Sequence, residues 1–348
     1  MPACRTLIVA SAIAATLVAA AALAAPPAAA ADLTVTAYGG IWEKAIRECY
    51  VKPFEARTGK TADVVLGGPP QWMNQVAANR DKPPIDIFMN SIDNAWEAVD
   101  KALVDEVGEK EVPALKDVPE KFRTIVKGYG VLINYGAAGI IYNTRTVKNP
   151  PKSWKEFVER TMKGEWTAAL PGINYAGMAQ ILIWNFADLY GGGVTNVQPA
   201  LDVIKKLKDS KHLLFWNDVN LPLNQLQSGD IDIALYWDGR AWAFKDEGHD
   251  WVGFINPEPG AIMNPVVIQK VKNGSPLAWQ YMDVALSPGP QGCFANMLQY
   301  GVANEKATYS DKVRPRITDW QATRWPPFRE MPSELPKWVE MWNKQIGG

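Results

Sequence analysis

Apolar residues fall in short bursts along this chain, and most bursts stop at a glycine, a proline or a small polar cluster. Thr34-Val35-Thr36-Ala37 predicts a strand and Gly39-Gly40 breaks it. Ile41, Ala45, Ile46 and Cys49 then recur at helical spacing and predict a helix over residues 41–51. The pattern repeats. Residues 61–66, TADVVL, predict a strand that Gly67-Gly68-Pro69-Pro70 turns into a helix carrying Trp72, Met73 and Val76. Residues 85–89, IDIFM, predict a third strand, ending at Asn90-Ser91-Ile92-Asp93 before a helix through Ala95, Trp96 and Val99. Three such units in succession predict one parallel sheet with helices on its faces.

Residues 127–142, KGYGVLINYGAAGIIY, are the longest β-rich run of the first half. Gly128, Gly130, Gly136 and Gly139 are read there as bends in a segment passing between two parts of the protein. Ser153 and Glu156 frame a capping box ahead of Phe157 and Val158. A second series follows: a strand at 167–170, a helix at 177–190 stopped by Gly191-Gly192-Gly193, and amphipathic helices at 199–208 and 221–227. A strand at 231–236 then runs through a loop, Trp237-Asp238-Gly239-Arg240, to a helix at 241–245. The chain is read as crossing back at 255–264, with helices at 277–286 and 289–298. Pro326-Pro327 and Pro332 break the tail, which ends in a helix from residue 338 to 346.

Residues 1–31 form an export leader: Arg5, an apolar run from Leu7 to Ala24, and cleavage sites of small residues between Ala24 and Ala31. Loss of Arg5 moves the net charge from −1 to about −2, and no basic stripe marks a nucleic-acid partner. Of three cysteines, Cys49 and Cys293 remain in the mature chain. In an oxidising compartment they are either one bridge or two separate buried thiols. The two histidines, His212 and His249, lie in no metal-ligand spacing, so neither metal nor cofactor is expected. Fifteen tryptophans are more than a core needs, and rings lining a cleft are expected among them.

In α/β proteins ligands sit at the carboxyl ends of strands, where helix N-termini present free N–H groups. That rule selects Tyr38, Gly39 and Trp42 at the first junction and Asn90, Ser91 and Asp93 at the third. In the second series it selects Asn174 and Tyr175, and then Trp237, Asp238 and Arg240. Asp93 and Asp238 as a pair would suit acid–base chemistry in a secreted hydrolase, or equally the holding of an amine. Alternatively Asp238 pairs with Arg240 across a helix start and leaves neither free.

The succession AYGGIWEKAIRECYVKPFEARTGKTADVV, IDIFMNS, GYGVLINYGAAGIIYN, PKSWKEF, GDIDIALYWDGRA, EPGAIMNPVVIQKVKNGSPLAWQYMDVALSP and LQYGVAN resembles the extracellular solute-binding proteins of bacterial ABC importers. Within them it is most similar to the spermidine/putrescine branch. The resemblance implies a periplasmic binding protein-like type II fold, with two α/β lobes joined by a hinge and the ligand cleft between them. Lobe one would comprise residues 32–135 and 260–304, lobe two residues 136–259, and residues 305–348 a tail packed on the lobes. It implies a non-enzymatic, monomeric receptor in the periplasm that delivers a small organic solute to an inner-membrane permease and its ATPase. It also adds Tyr300 and Asn264 to the candidate site. The polyamine pattern departs at the acids: where that branch carries a ligand aspartate after a tryptophan, this chain reads Ile262-Met263-Asn264. A small amine, quaternary ammonium or zwitterion is therefore the expected solute, with a polyamine, or a carboxylate held by Arg240, as alternatives.

Overall fold

The computed structural model describes residues 31–347; the predicted leader lies, but for Ala31, outside them. The first parallel group comprises β1 (Leu33–Ala37), α1 (Ile41–Ile46), α2 (Lys52–Thr58), β2 (Ala62–Leu66), α3 (Pro69–Ala78), β3 (Ile87–Ser91) and α4 (Ile92–Asp100). Beyond the short α5 (Glu120–Arg123), β4 (Val131–Asn143) leads to the second group. This holds α6 (Trp154–Met162), β5 (Ala168–Pro171), α7 (Ala176–Leu189), α8 (Gln198–Asp209), β6 (Leu213–Trp216), α9 (Leu221–Ser228), β7 (Ile233–Trp237), α10 (Asp238–Asp246) and β8 (Val252–Ile255). The chain returns through β9 (Ile262–Lys270) to α11 (Leu277–Ala285), α12 (Pro288–Leu298) and β10 (Gly301–Val302), and ends in α13 (Met331–Gln345).

All ten strands join one sheet, ordered β2-β1-β3-β9-β4-β7-β5-β6, with β8 and β10 also paired to β4. β2, β1 and β3 are parallel to one another, as are β7, β5 and β6. Between these triplets β9 and β4 run antiparallel. β4 is buried from Val131 to Ile141 because helices cover both faces of this central strand. The hydrophobic core divides along it: Tyr135 and Met263 belong to one cluster, Ala138 and Ile262 to the other.

Several expectations are corrected. The glycines in β4 are not bends, because Val131–Asn143 is a single 13-residue strand. Gly136 and Gly139 instead permit close approach: a Cβ at Gly139 would stand 2.5 Å from the Ile255 carbonyl oxygen. The helix expected over 41–51 runs on to Thr58 through a widened turn at Arg47–Val51, just before Pro53, which has no N–H to give a regular ladder. α10 starts at Asp238, not after Arg240, because the Asp238 carboxylate accepts the N–H of Gly239 in its first turn. β6 is an additional strand, four residues long, whose uninterrupted apolar run Leu213-Leu214-Phe215-Trp216 carries no alternation to mark it. Pro332 sits in the first turn of α13, where a missing N–H costs nothing, rather than ending a segment.

The capping box is present, with the Glu156 N–H donating to Ser153 Oγ at 3.1 Å. Cys49 and Cys293 form a disulfide, Cα to Cα 5.5 Å, tying the widened turn to α12. No helix among the described residues is long and apolar enough to cross a membrane.

Candidate functional site

Two cavities open where the triplets face each other across β4 and β9. The first, about 380 Å³, brings together Gly39 and Trp42 from the β1–α1 junction, Arg240 from α10, and Tyr300 from the turn after α12. The second, about 250 Å³, brings together Ser91 and Asp93 from the β3–α4 junction and Asn264 from β9. Tyr38 joins them. Its ring meets Trp42 edge-on at 5.3 Å and Trp72 at 5.6 Å, and its hydroxyl faces the N–H and side chain of Ser91. Burial, with the nearby Asp93 carboxylate, raises the Tyr38 pKa, so its hydroxyl stays protonated at neutral pH.

Tyr300 lies over backbone. A Cβ at Gly136 would approach its ring to 2.7 Å and one at Gly239 to 2.5 Å, so only glycine leaves the ring its place. Trp42 contacts it at 6.1 Å between centroids and Phe294 at 5.3 Å. This aromatic wall faces Arg240, which is exposed, stands beside the Tyr236 hydroxyl, and has no carboxylate partner among the described residues.

The alternative pairing of Asp238 with Arg240 does not form. Asp238 is 2% exposed; it accepts the Gly239 N–H at 2.7 Å and the Thr318 hydroxyl at 3.0 Å, and faces the N–H of Ala137. Burial outweighs these donors and pushes its pKa up to about 7. It thereby links β4, α10 and the C-terminal segment from inside. Asn90 is also fully buried, donating from Nδ2 to Gln269 Oε1 at 2.9 Å. Trp237 packs into the second core at 8% exposure. Asn174 is exposed and Tyr175 packs on Trp216 at 4.8 Å; neither lines the two cavities.

Sequence reasoning missed Asn220, Leu223, Glu247 and Met297 in the first cavity and Gly177, Gln180, Phe328 and Met331 in the second. Gly177 and Gln180 sit in the first turns of a predicted helix and were findable by the rule that selected Tyr175. Phe328 lies in the tail, where no strand end points. Among the described residues no group of three or more His, Cys, Asp or Glu is arranged to hold a metal.

Two strand triplets, two antiparallel crossing strands and a polar, ring-lined gap between them define a two-sided solute receptor. The bacterial extracellular solute-binding protein family matches residues 49–322, and the chain belongs to it. It is 26% identical over 286 residues to the gamma-aminobutyric acid-binding protein of Pseudomonas aeruginosa, covering 77% of this chain and 76% of that one. Among solved structures it superposes on an extracellular solute-binding protein from Bordetella parapertussis with a TM-score of 0.84 and 28% identity, covering 90% of this chain and 98% of the other. A GABA receptor matches with a TM-score of 0.71 and 18% identity, over 89% and 96% of the two chains. The fold is that of the type II periplasmic binding proteins. The protein is a solute-binding component of an ABC transporter, a family of receptors rather than enzymes that implies a small solute and a membrane permease as partners. These relatives lend the hydrolase alternative no support.

Proposed function

We propose that this protein is a monomeric periplasmic receptor for a small zwitterion of the ω-amino acid type, with γ-aminobutyrate the first candidate. After removal of its leader it would carry that solute to a permease and its ATPase. Residues 32–135 with 260–304 act as one lobe and residues 136–259 as the other. β4 and β9 absorb their rotation near Tyr135–Ala138 and Ile262–Asn264, where the core changes hands.

The observation that carries the reading is Arg240, an unpaired guanidinium beside Trp42 and Tyr300 in a cavity bounded by both lobes. Its planar fork suits a carboxylate, and the rings exclude water from that contact. Asp93, in the second cavity, is the carboxylate proposed for the amine end. A long polycation would bring positive charge against Arg240 without enough counter-charge, which speaks against spermidine and putrescine despite the resemblance. The gamma-aminobutyric acid-binding relative speaks for the zwitterion.

Closure follows from differential affinity, since the solute stabilises only the state in which both lobes touch it. Calorimetric titration and thermal shift against γ-aminobutyrate, β-alanine, butyrate, putrescine and spermidine test the reading. The expected result is a raised unfolding midpoint with the ω-amino acids and none with the diamines. A midpoint raised by spermidine or putrescine alone would replace the zwitterion with a polyamine.

A further inference from the structure

The C-terminal segment crosses from one lobe to the other. Trp320 and Trp325 pack against the first core. Arg324 is stitched to the start of β9, its carbonyl accepting the Met263 N–H at 2.8 Å and its N–H donating to the Ala261 carbonyl at 2.8 Å. From Met331 onward the segment belongs to the second core, where Met331, Trp338 and Trp342 are buried. Phe328, at the crossing, packs against both the second core and a first-lobe cluster of Ile92, Ala95, Val126 and Val267. Phe328 and Met331 also line the cavity that holds Ser91, Asp93 and Asn264.

Arg329 holds this crossing to the first lobe. Its guanidinium makes a two-point ion pair with Asp100 at the end of α4, with Nη2 to Oδ1 at 2.7 Å, and lies 4.8 Å from the centroid of the Trp96 ring, one turn earlier on that helix. We propose that residues 324–331 form a strap across the mouth of the solute chamber, with Phe328 as a chamber wall and Arg329 as the positioning residue that latches it to Asp100 and Trp96. The proposal rests on the reading that the two lobes close on a solute.

A latch made only in the closed arrangement raises the closed fraction, and the apparent dissociation constant falls in inverse proportion. Both partners are half-exposed, with side chains 49% accessible, so salt screens the pair and weakens the latch. Loss of the pair and of the ring contact is expected to weaken binding about five- to tenfold.

The test uses the full mature chain with spin labels at Leu66→Cys and Leu214→Cys, two exposed sites at opposite ends of the sheet. Distance distributions are recorded without solute at low and high salt, and γ-aminobutyrate affinity is measured in parallel. Arg329→Met and Asp100→Asn should each deplete the short-distance population and remove its salt response. The double variant Asp100→Arg/Arg329→Asp should restore the population, since the new guanidinium still stands one turn beyond Trp96. Unfolding midpoints control for stability. Distances and affinity unmoved by both single variants would overturn the strap. If the parent binds no ω-amino acid while the distances follow the latch, the solute reading falls and the strap stands.

Discussion

Asp238 permits a direct test of how the site is built. Replacing it with asparagine keeps the shape: Oδ1 still accepts the Gly239 N–H, and Nδ2 donates to the Thr318 hydroxyl, which turns to accept. What changes is charge. The aspartate pKa is about 7 when folded against 3.8 as its ordinary value. Between those values the native state holds a proton that the unfolded chain has released, so stability falls as pH rises. The contribution is complete below about pH 4 and gone above about pH 7, at roughly 1.4 kcal/mol per unit.

Between about pH 5 and pH 8 the parent should therefore lose about 3 kcal/mol relative to Asp238→Asn; the two should be comparable only below about pH 4, with the variant already the more stable at about pH 5 and further ahead at about pH 8. Urea unfolding followed by tryptophan fluorescence across that range measures the difference. The other carboxylates are common to both proteins and cancel. Parallel stability curves would refute the argument, because a carboxylate indifferent to pH in this range would not be desolvated. A variant that falls behind the parent as pH rises would mean that the ionised form is the one the fold requires.

Arg240→Ala should weaken γ-aminobutyrate binding by about 2 kcal/mol or more while leaving the unfolding midpoint in place, since truncating a desolvated charged partner is costly and this side chain is exposed in the free protein; titration calorimetry reads it. Gly239→Ala should displace Tyr300, whose ring atoms lie 2.5–2.9 Å from the new methyl, and so lower affinity through loss of the wall facing Trp42. Tyr300→Ala in the same background should recover stability without recovering affinity. Removing the bridge with Cys49→Ser and Cys293→Ser together should cost about 2–5 kcal/mol of stability, because it frees a loop of 244 residues in the unfolded chain; thermal unfolding with and without reductant measures it, and the double variant should be insensitive to reductant.

The alternation of strands and helices was legible because it is local. An apolar burst such as Ile85–Met89, a glycine stop and an amphipathic helix fall within one stretch of chain, and that is enough to predict parallel units and to mark their carboxyl ends. Trp42, Ser91, Asp93 and Arg240 were found by that rule and line the cavities, and Tyr38 packs against Trp42 beside them. The glycines of β4 were misread because their neighbours are remote. Gly136 makes room for Tyr300, 164 positions away, and no local pattern separates a bend from a seat for a ring. Asp238 follows a strand as a ligand carboxylate would, yet its partners are Gly239, Ala137 and Thr318, the last contributed by the tail.

The strap was hidden for a related reason. Prolines at 326, 327 and 332 read as breaks, and a broken tail carries no period from which a face can be deduced. What fixes Phe328 and Arg329 is the pairing of Arg324 with Ala261 and Met263 on the returning strand, followed by three tryptophan- and methionine-sized anchors in the second core. A chain tied at both ends of so short a crossing passes from the first hydrophobic cluster to the second. Its side chains meet Trp96 and Asp100, contacts that on the strap proposal belong to the closed arrangement. On that proposal, the segment least interpretable in the sequence is the one whose contacts report closure, and the receptor's response to solute should be read there as well as at Arg240.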